Sequence, residues 1–191
     1  CPADFHCLAA FRGGGQKRGL TAVLTAEVAC EIEALIGPGA VAGLDFEAIE
    51  TAARRRALQM AARAVERRLN ADSSDPGAPA LPCGCGGQAR YAGRRPKTFQ
   101  SALGQMTLER AYFYGAACQA GFCPRERALG LEATALSPAV TRRVGLTAAL
   151  VSFAETSELL QELAGVPVDA KQVERTAEAL GREIARDEQA V

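Results

Sequence analysis

Tryptophan is absent, aromatic residues make up only 5% of the 191, and there is a single histidine. A chain that is nonetheless 48% hydrophobic must build its core mostly from Ala, Leu and Val, which favours helices. With His6 alone, no Ser-His-Asp or Cys-His arrangement can be assembled elsewhere. Net charge is lacking too. The 22 Lys and Arg balance 22 Asp and Glu, so any polyanion site must come from local clustering. Long apolar runs are missing: the longest, near Gly145 to Ala154, is about half of the roughly 20 residues a membrane span requires. No signal-peptide pattern opens the chain, and the expectation is a soluble, cytoplasmic protein with no membrane partner. Seven cysteines are an odd number, which without a secretory signal argues against a disulfide framework. The thiols are then core, metal-bound or idle. The first residue is Cys1 rather than Met, which reads as a fragment or as a translation begun upstream of the real protein.

Punctuation divides the chain. Residues 1–20, with Gly13-Gly14-Gly15, read as a flexible lead-in; His6, Cys7 and Cys1 have no second pair at ligand spacing and read as incidental. A helical region is expected over 21–70. In it Thr25 caps a short helix with Val28, Ile32 and Leu35 on one face, and Cys30 is a small packed residue. Asp45 caps a longer helix, free of Gly and Pro, whose Leu58, Ala62, Val65 and Leu69 share a face. Its arginines read either as a phosphate-facing surface or as a solvated face paired with Glu47, Glu50 and Glu66. Residues 71–82, within "NADSSDPGAPALP", read as a linker. Beyond it, Gln88 to Ala92, Lys97 to Leu103 and Met106 to Tyr114 have the length and Thr, Phe and Tyr content of short strands, separated by turns at Gly93 and Gly104. The expected fold is mainly α, with a small antiparallel, zinc-ribbon-like β unit over 83–124 and a helical region over 125–191.

Four cysteines bracket the strands: Cys83 and Cys85 before them, Cys118 and Cys123 after. A zinc ribbon sets two ligand pairs on turns at one end of such a unit, where the metal staples a sheet too small to hold itself. The spacing departs from the usual Cys-x₂₋₄-Cys in the first pair, so zinc and free thiols both stay open. Between Arg90 and Arg110, five cations (Arg90, Arg94, Arg95, Lys97 and Arg110) face Glu109 alone. Tyr91, Phe99, Tyr112, Phe113 and Tyr114 interleave with them. Arg94, Arg95 and Lys97 are candidate phosphate contacts, and the aromatics either stack on bases or fill a small core.

Farther on, Ser137-Pro138 starts a helix, and Leu159, Leu160 and Leu163 precede a helix end at Gly165. Asp169 with Gln172 suggests a capping box, and Val173, Ala177, Leu180 and Ile184 form the next buried face. Two helices joined by a tight turn suggest helix-turn-helix, with Lys171, Gln172 and Arg175 reading base edges or phosphates. The acidic end of that helix equally suits a packing or dimerisation hairpin.

The segments "CGCGGQARYAGRRPKTF", "LGQMTLERAYFY", "GFCPRERALGLE" and "SFAETSELLQELAGVPVDAKQVERTAEALG" together resemble the amino-terminal half of bacterial insertion-sequence transposases of the ISKra type, over about Leu44 to Glu188. The resemblance implies a zinc-ribbon-like segment and a helix-turn-helix that bind double-stranded DNA at the element's terminal inverted repeats, in the nucleoid; the rival reading is an interaction protein whose helices form a homodimer. It also implies a later ribonuclease-H-like domain that works through an Asp-Asp-Glu triad and Mg²⁺. Gly115 stands where the family carries a cysteine, which leaves Cys83, Cys85 and Cys118 with Cys123 as a substitute ligand. The chain stops where that nuclease would begin. The expectation is therefore a truncated or decayed copy, with no catalytic residues and no activity of its own.

Overall fold

The computed structural model describes residues 26, 28–33, 43 and 45–190. The expected lead-in, with Cys1, His6 and Cys7, lies outside the described residues, as do Thr25 and Leu35. The chain divides into two compact units, Cys1–Ala53 and Arg54–Val191. In the first, residues 28–33 are helical, and Cys30, expected to be packed, is exposed along with Val28 and Ile32 on the same short helix. Asp45 caps helix α1 (Phe46–Ala71) as expected, its carboxylate accepting from the Ala48 amide at 2.8 Å. Among the described residues no helix is long and apolar enough to cross a membrane.

The second unit is mixed rather than mainly α. Its sheet is a four-stranded antiparallel meander in the order β1 (Ala80–Pro82), β2 (Gln88–Ser101), β3 (Gly104–Gly115), β4 (Ala120–Phe122). Gly93, expected to be a turn, is instead a bulge inside one long strand. Tyr91 pairs with Phe113 and Arg94 with Ala111, so Ala92 and Gly93 together face Tyr112. Gly93 takes φ +96, which suits glycine in such a bulge. The β2–β3 hairpin turns at Ser101–Gly104, where Gly104 has φ +132.

Alternation along the hairpin puts Phe99, Met106 and Leu108 on one face. There they pack with Ala62 of α1 and Leu131. Of the expected α1 face, Ala62 is buried and Leu58 and Leu69 are half-buried, while Val65 stays exposed. Past the bulge, Ala89, Ala111 and Phe113 form a second cluster with Phe122 and Leu81.

The end of α1 and the segment after it do more than connect. Three successive amides on the free edge of β3 each meet a side-chain oxygen: Thr107 donates to Glu66 at 2.6 Å, Glu109 to Asn70 at 2.9 Å and Ala111 to Asp75 at 2.7 Å. A strand edge that would otherwise invite another strand is thereby satisfied. Arg125, on the short helix α2 (Pro124–Ala128), closes the same C-terminal end of α1 by donating to the carbonyls of Leu69 and Asp72 at 2.7 and 2.6 Å.

Three helices follow: α3 (Pro138–Ala148), α4 (Phe153–Ala164) and α5 (Ala170–Gln189), each packed against the other two. Ser137 caps α3, with Pro138 at its first turn. Gly165 ends α4 at φ +64, and Asp169 accepts from the Gln172 amide at 2.9 Å. Val140, Val144, Leu160, Val166, Val168 and Val173 form their common core with Leu136. This bundle joins the sheet through Gln100, whose amide donates to Ala135 O and whose carbonyl accepts from Ser137, both at 2.8 Å.

Candidate functional site

The two hairpin turns that carry cysteines lie at the same end of the sheet. In the first, residues 83–87 link β1 to β2, with Cys83 N–H donating to Gly87 O at 2.8 Å and Gly86 N–H to Cys83 O at 3.0 Å. Gly86 sits at φ +83, which a side chain would resist. The second turn carries Cys118 between β3 and β4. Meander topology brings them together: the sulfurs of Cys83, Cys85 and Cys118 all lie within 4.8 Å of one another, and Cys83 and Cys118 are 3.3 Å apart. A tetrahedral zinc with bonds of about 2.3 Å requires sulfur separations of roughly 3.8 Å, inside that range. The donor set is soft and suits a thiophilic ion.

Backbone amides prime the first thiol. The Cys85 N–H, helped by the Cys118 thiol, holds the Cys83 thiol below its ordinary value, while Cys118, in hydrogen-bond contact with Cys83, is pushed up. Cys83 is thus the more acidic thiol of the pair.

Cys123, expected as a fourth ligand, is not in this group. β4 runs back along β3, pairing Phe122 with Phe113, and carries Cys123 away from the turn that holds Cys118. The residue is buried at the N-cap of α2, and burial, opposed by Arg110, raises its thiol. Position 115 instead adjoins the cluster: a Cβ built there would lie 2.9 Å from the Cys118 sulfur and 3.3 Å from that of Cys83. Gly115 is the residue that lets the thiols close together.

The basic strand is largely occupied by internal partners. Arg94 binds Asp75 at 2.6 Å and Glu109 O at 2.5 Å. Lys97 binds Glu126 at 2.7 Å and Leu131 O at 2.6 Å, and Arg110 pairs with the other oxygen of Glu126. Burial opposes ionisation of Glu126, yet the hydrogen bonds from Lys97 and Arg110 prevail and hold its carboxyl below the ordinary range. Two acids from outside the strand, one in the segment before the sheet and one on α2, thus neutralise cations expected to meet phosphate. Arg90 and Arg95 stay exposed, and Arg95 stacks its guanidinium 3.6 Å from the centroid of the Tyr112 ring. Phe99 and Phe113 are core residues, while Tyr91 and Tyr114 are each 39% exposed.

No family model matches the chain, and no curated protein matches it.

On α5 the structure sorts the three expected readers. Lys171 and Arg175 are exposed one turn apart. Gln172 is half-buried, and its amide donates to Thr176 at 3.3 Å rather than completing a capping box. A complete box occurs one helix earlier, between Ser152 and Glu155. The Ser-x-x-Glu pattern at 152–155 was the sequence signal for it. Val173 is buried, Ala177 and Leu180 are half-buried, and Ile184 is 58% exposed because α5, at 20 residues, outruns α3 and α4, at 11 and 12. Leu180 packs into the space left by Gly145, where a Cβ would meet it at 2.8 Å. An apolar groove of 390 Å³, lined by Arg143, Leu146, Leu150 and Leu163, lies beside α3 and α4.

Proposed function

We propose that this chain is a DNA-binding portion of an insertion-sequence transposase, recognising terminal inverted repeats without cutting them. The single observation that carries the reading is the convergence of Cys83, Cys85 and Cys118 at one end of a four-stranded meander. A paired-turn metal staple serves to fix a small sheet as a binding arm, and the motif resemblance assigns such an arm to end recognition. In this reading zinc is structural and is held by those three thiolates. The α4–α5 pair acts as a helix-turn-helix, with Lys171 and Arg175 on the exposed first turns of α5 toward DNA and Gln172 beside them. Arg95 supplies the contact from the sheet. Arg94 and Lys97 shape that strand through Asp75 and Glu126 rather than touching phosphate. The chain acts in the nucleoid, and any Mg²⁺-dependent cutting belongs to a domain outside these residues.

Competition binding on duplexes carrying the element's own ends and on scrambled duplexes tests this. The expected result is a preference for the ends that narrows when Lys171 and Arg175 are replaced by alanine. Equal affinity for both duplexes would reject specific recognition.

A second reading, a helical interaction protein, is favoured by Leu146, Leu150 and Leu163, which are 59%, 82% and 69% exposed around one groove. Concentration-dependent dimerisation without any salt-sensitive DNA binding would select it.

A further inference from the structure

We propose that the three-thiol cluster holds its metal with one coordination position open to solution, and that this position takes a small thiolate. The inference rests on the metal reading of the cluster given above. Three observations carry it.

First, among the described residues no fourth cysteine, histidine or carboxylate joins Cys83, Cys85 and Cys118. Secondly, Gly115 adjoins Cys118 and Cys83, a Cβ there lying 2.9 and 3.3 Å from the two sulfurs, and has no side chain and so no donor. Thirdly, the thiols do not face a packed wall. They line a cavity of 330 Å³ whose other walls include Pro82, Ala120, Phe122 and Arg127.

A zinc site closed by four side chains is inert, whereas three protein ligands leave a position for an external one. The space is about ten times the roughly 30 Å³ share of one water, so a small organic molecule fits. Softness of the set and apolar walls both favour sulfur over a hydrated oxyanion. The one cation in the lining, Arg127, has its charge offset by Glu132, to whose two oxygens it donates at 3.1 and 3.0 Å. The exchange balances: a thiol gives its proton to solvent and its sulfur takes the position on the metal from a water, which leaves.

The test uses the full chain loaded with cobalt(II), whose visible bands report a tetrahedral site and whose near-ultraviolet bands report thiolate ligands. Titration with 2-mercaptoethanol is expected to move the visible bands saturably to lower energy and to intensify the charge-transfer bands, while ethanol does neither. In the Gly115→Cys variant the Cys118 and Cys83 sulfurs must give way to the new Cβ, 2.9 and 3.3 Å from them, and the site re-formed around four thiols is expected to show the thiol-saturated spectrum from the outset and to ignore added thiol. A tetrahedral cobalt spectrum of the unaltered chain that added thiol leaves unmoved would overturn the open position, whichever residue fills it, and would leave the metal reading standing. Absence of any tetrahedral cobalt spectrum would overturn the metal reading itself, and the open position with it. The titration of the unaltered chain decides the matter even if the variant does not fold.

Discussion

Glu126 determines how much of the basic strand is left for a ligand. Its two oxygens take Lys97 and Arg110, which are only 17% and 13% exposed. Glu126→Gln removes the charge and leaves two cations unpaired, at an expected cost of about 3 kcal/mol in denaturant unfolding. Its carboxyl is held low in the folded chain, so the stability it confers is complete above the ordinary carboxylate pKa and is lost as pH falls through the lowered folded value. Unfolding midpoints from neutral to acid pH should therefore drop more steeply in the unaltered chain than in Glu126→Gln. Parallel curves would contradict the assignment.

Tyr112 offers a second residue-level test, since a Cβ at Gly121 would run into its ring and hydroxyl. Gly121→Ala should cost about 1–3 kcal/mol by overpacking. Combined with Tyr112→Ala, the loss should be clearly less than additive, because the truncated ring no longer opposes the methyl group.

At the scale of the elements, local rules were legible and long-range ones were not. Asp45, Ser137-Pro138, Gly165 and Asp169 mark helix ends through bonds that span a few residues, and each stands at the expected boundary. Ser152 belongs with them: Ser152→Ala should cost about 1 kcal/mol, read as a shift in unfolding midpoint. Gly93 misled because the same positive φ serves a turn and a bulge, and only the partner strand distinguishes them. The ties of Asp75 to Arg94 and Ala111, and of Glu126 to Lys97 and Arg110, bridge 16 to 36 residues of sequence, so no window of periodicity contains them. The same holds for Glu66 and Asn70 on the edge of β3. Asn70→Leu strips partners from Thr107 O and the Glu109 amide. It should lower stability by about 1–3 kcal/mol, and light scattering should show more self-association as the edge opens. For the candidate site, the positions of the cysteines before and after the strands marked two turns that the structure brings together. The separation of Cys123 from Cys118 needed the direction of β4, which spacing does not encode.

For the whole molecule, zero net charge means that any attraction to DNA arises from where cations are left free. Pairing with Asp75 and Glu126 withdraws Arg94 and Lys97 and leaves Arg95, Lys171 and Arg175 exposed. The measurement that tests this account most directly is the salt dependence of DNA affinity for the full chain and its charge variants. The account predicts that affinity falls steeply with salt, with a slope of about −0.9 per phosphate contacted in a log-log plot. It predicts a shallower slope for Arg95→Ala, Lys171→Ala and Arg175→Ala, and an unchanged slope for Arg94→Gln and Lys97→Gln under conditions where both stay folded. Affinity that is indifferent to salt, or a slope set by Arg94 and Lys97 instead, would contradict it.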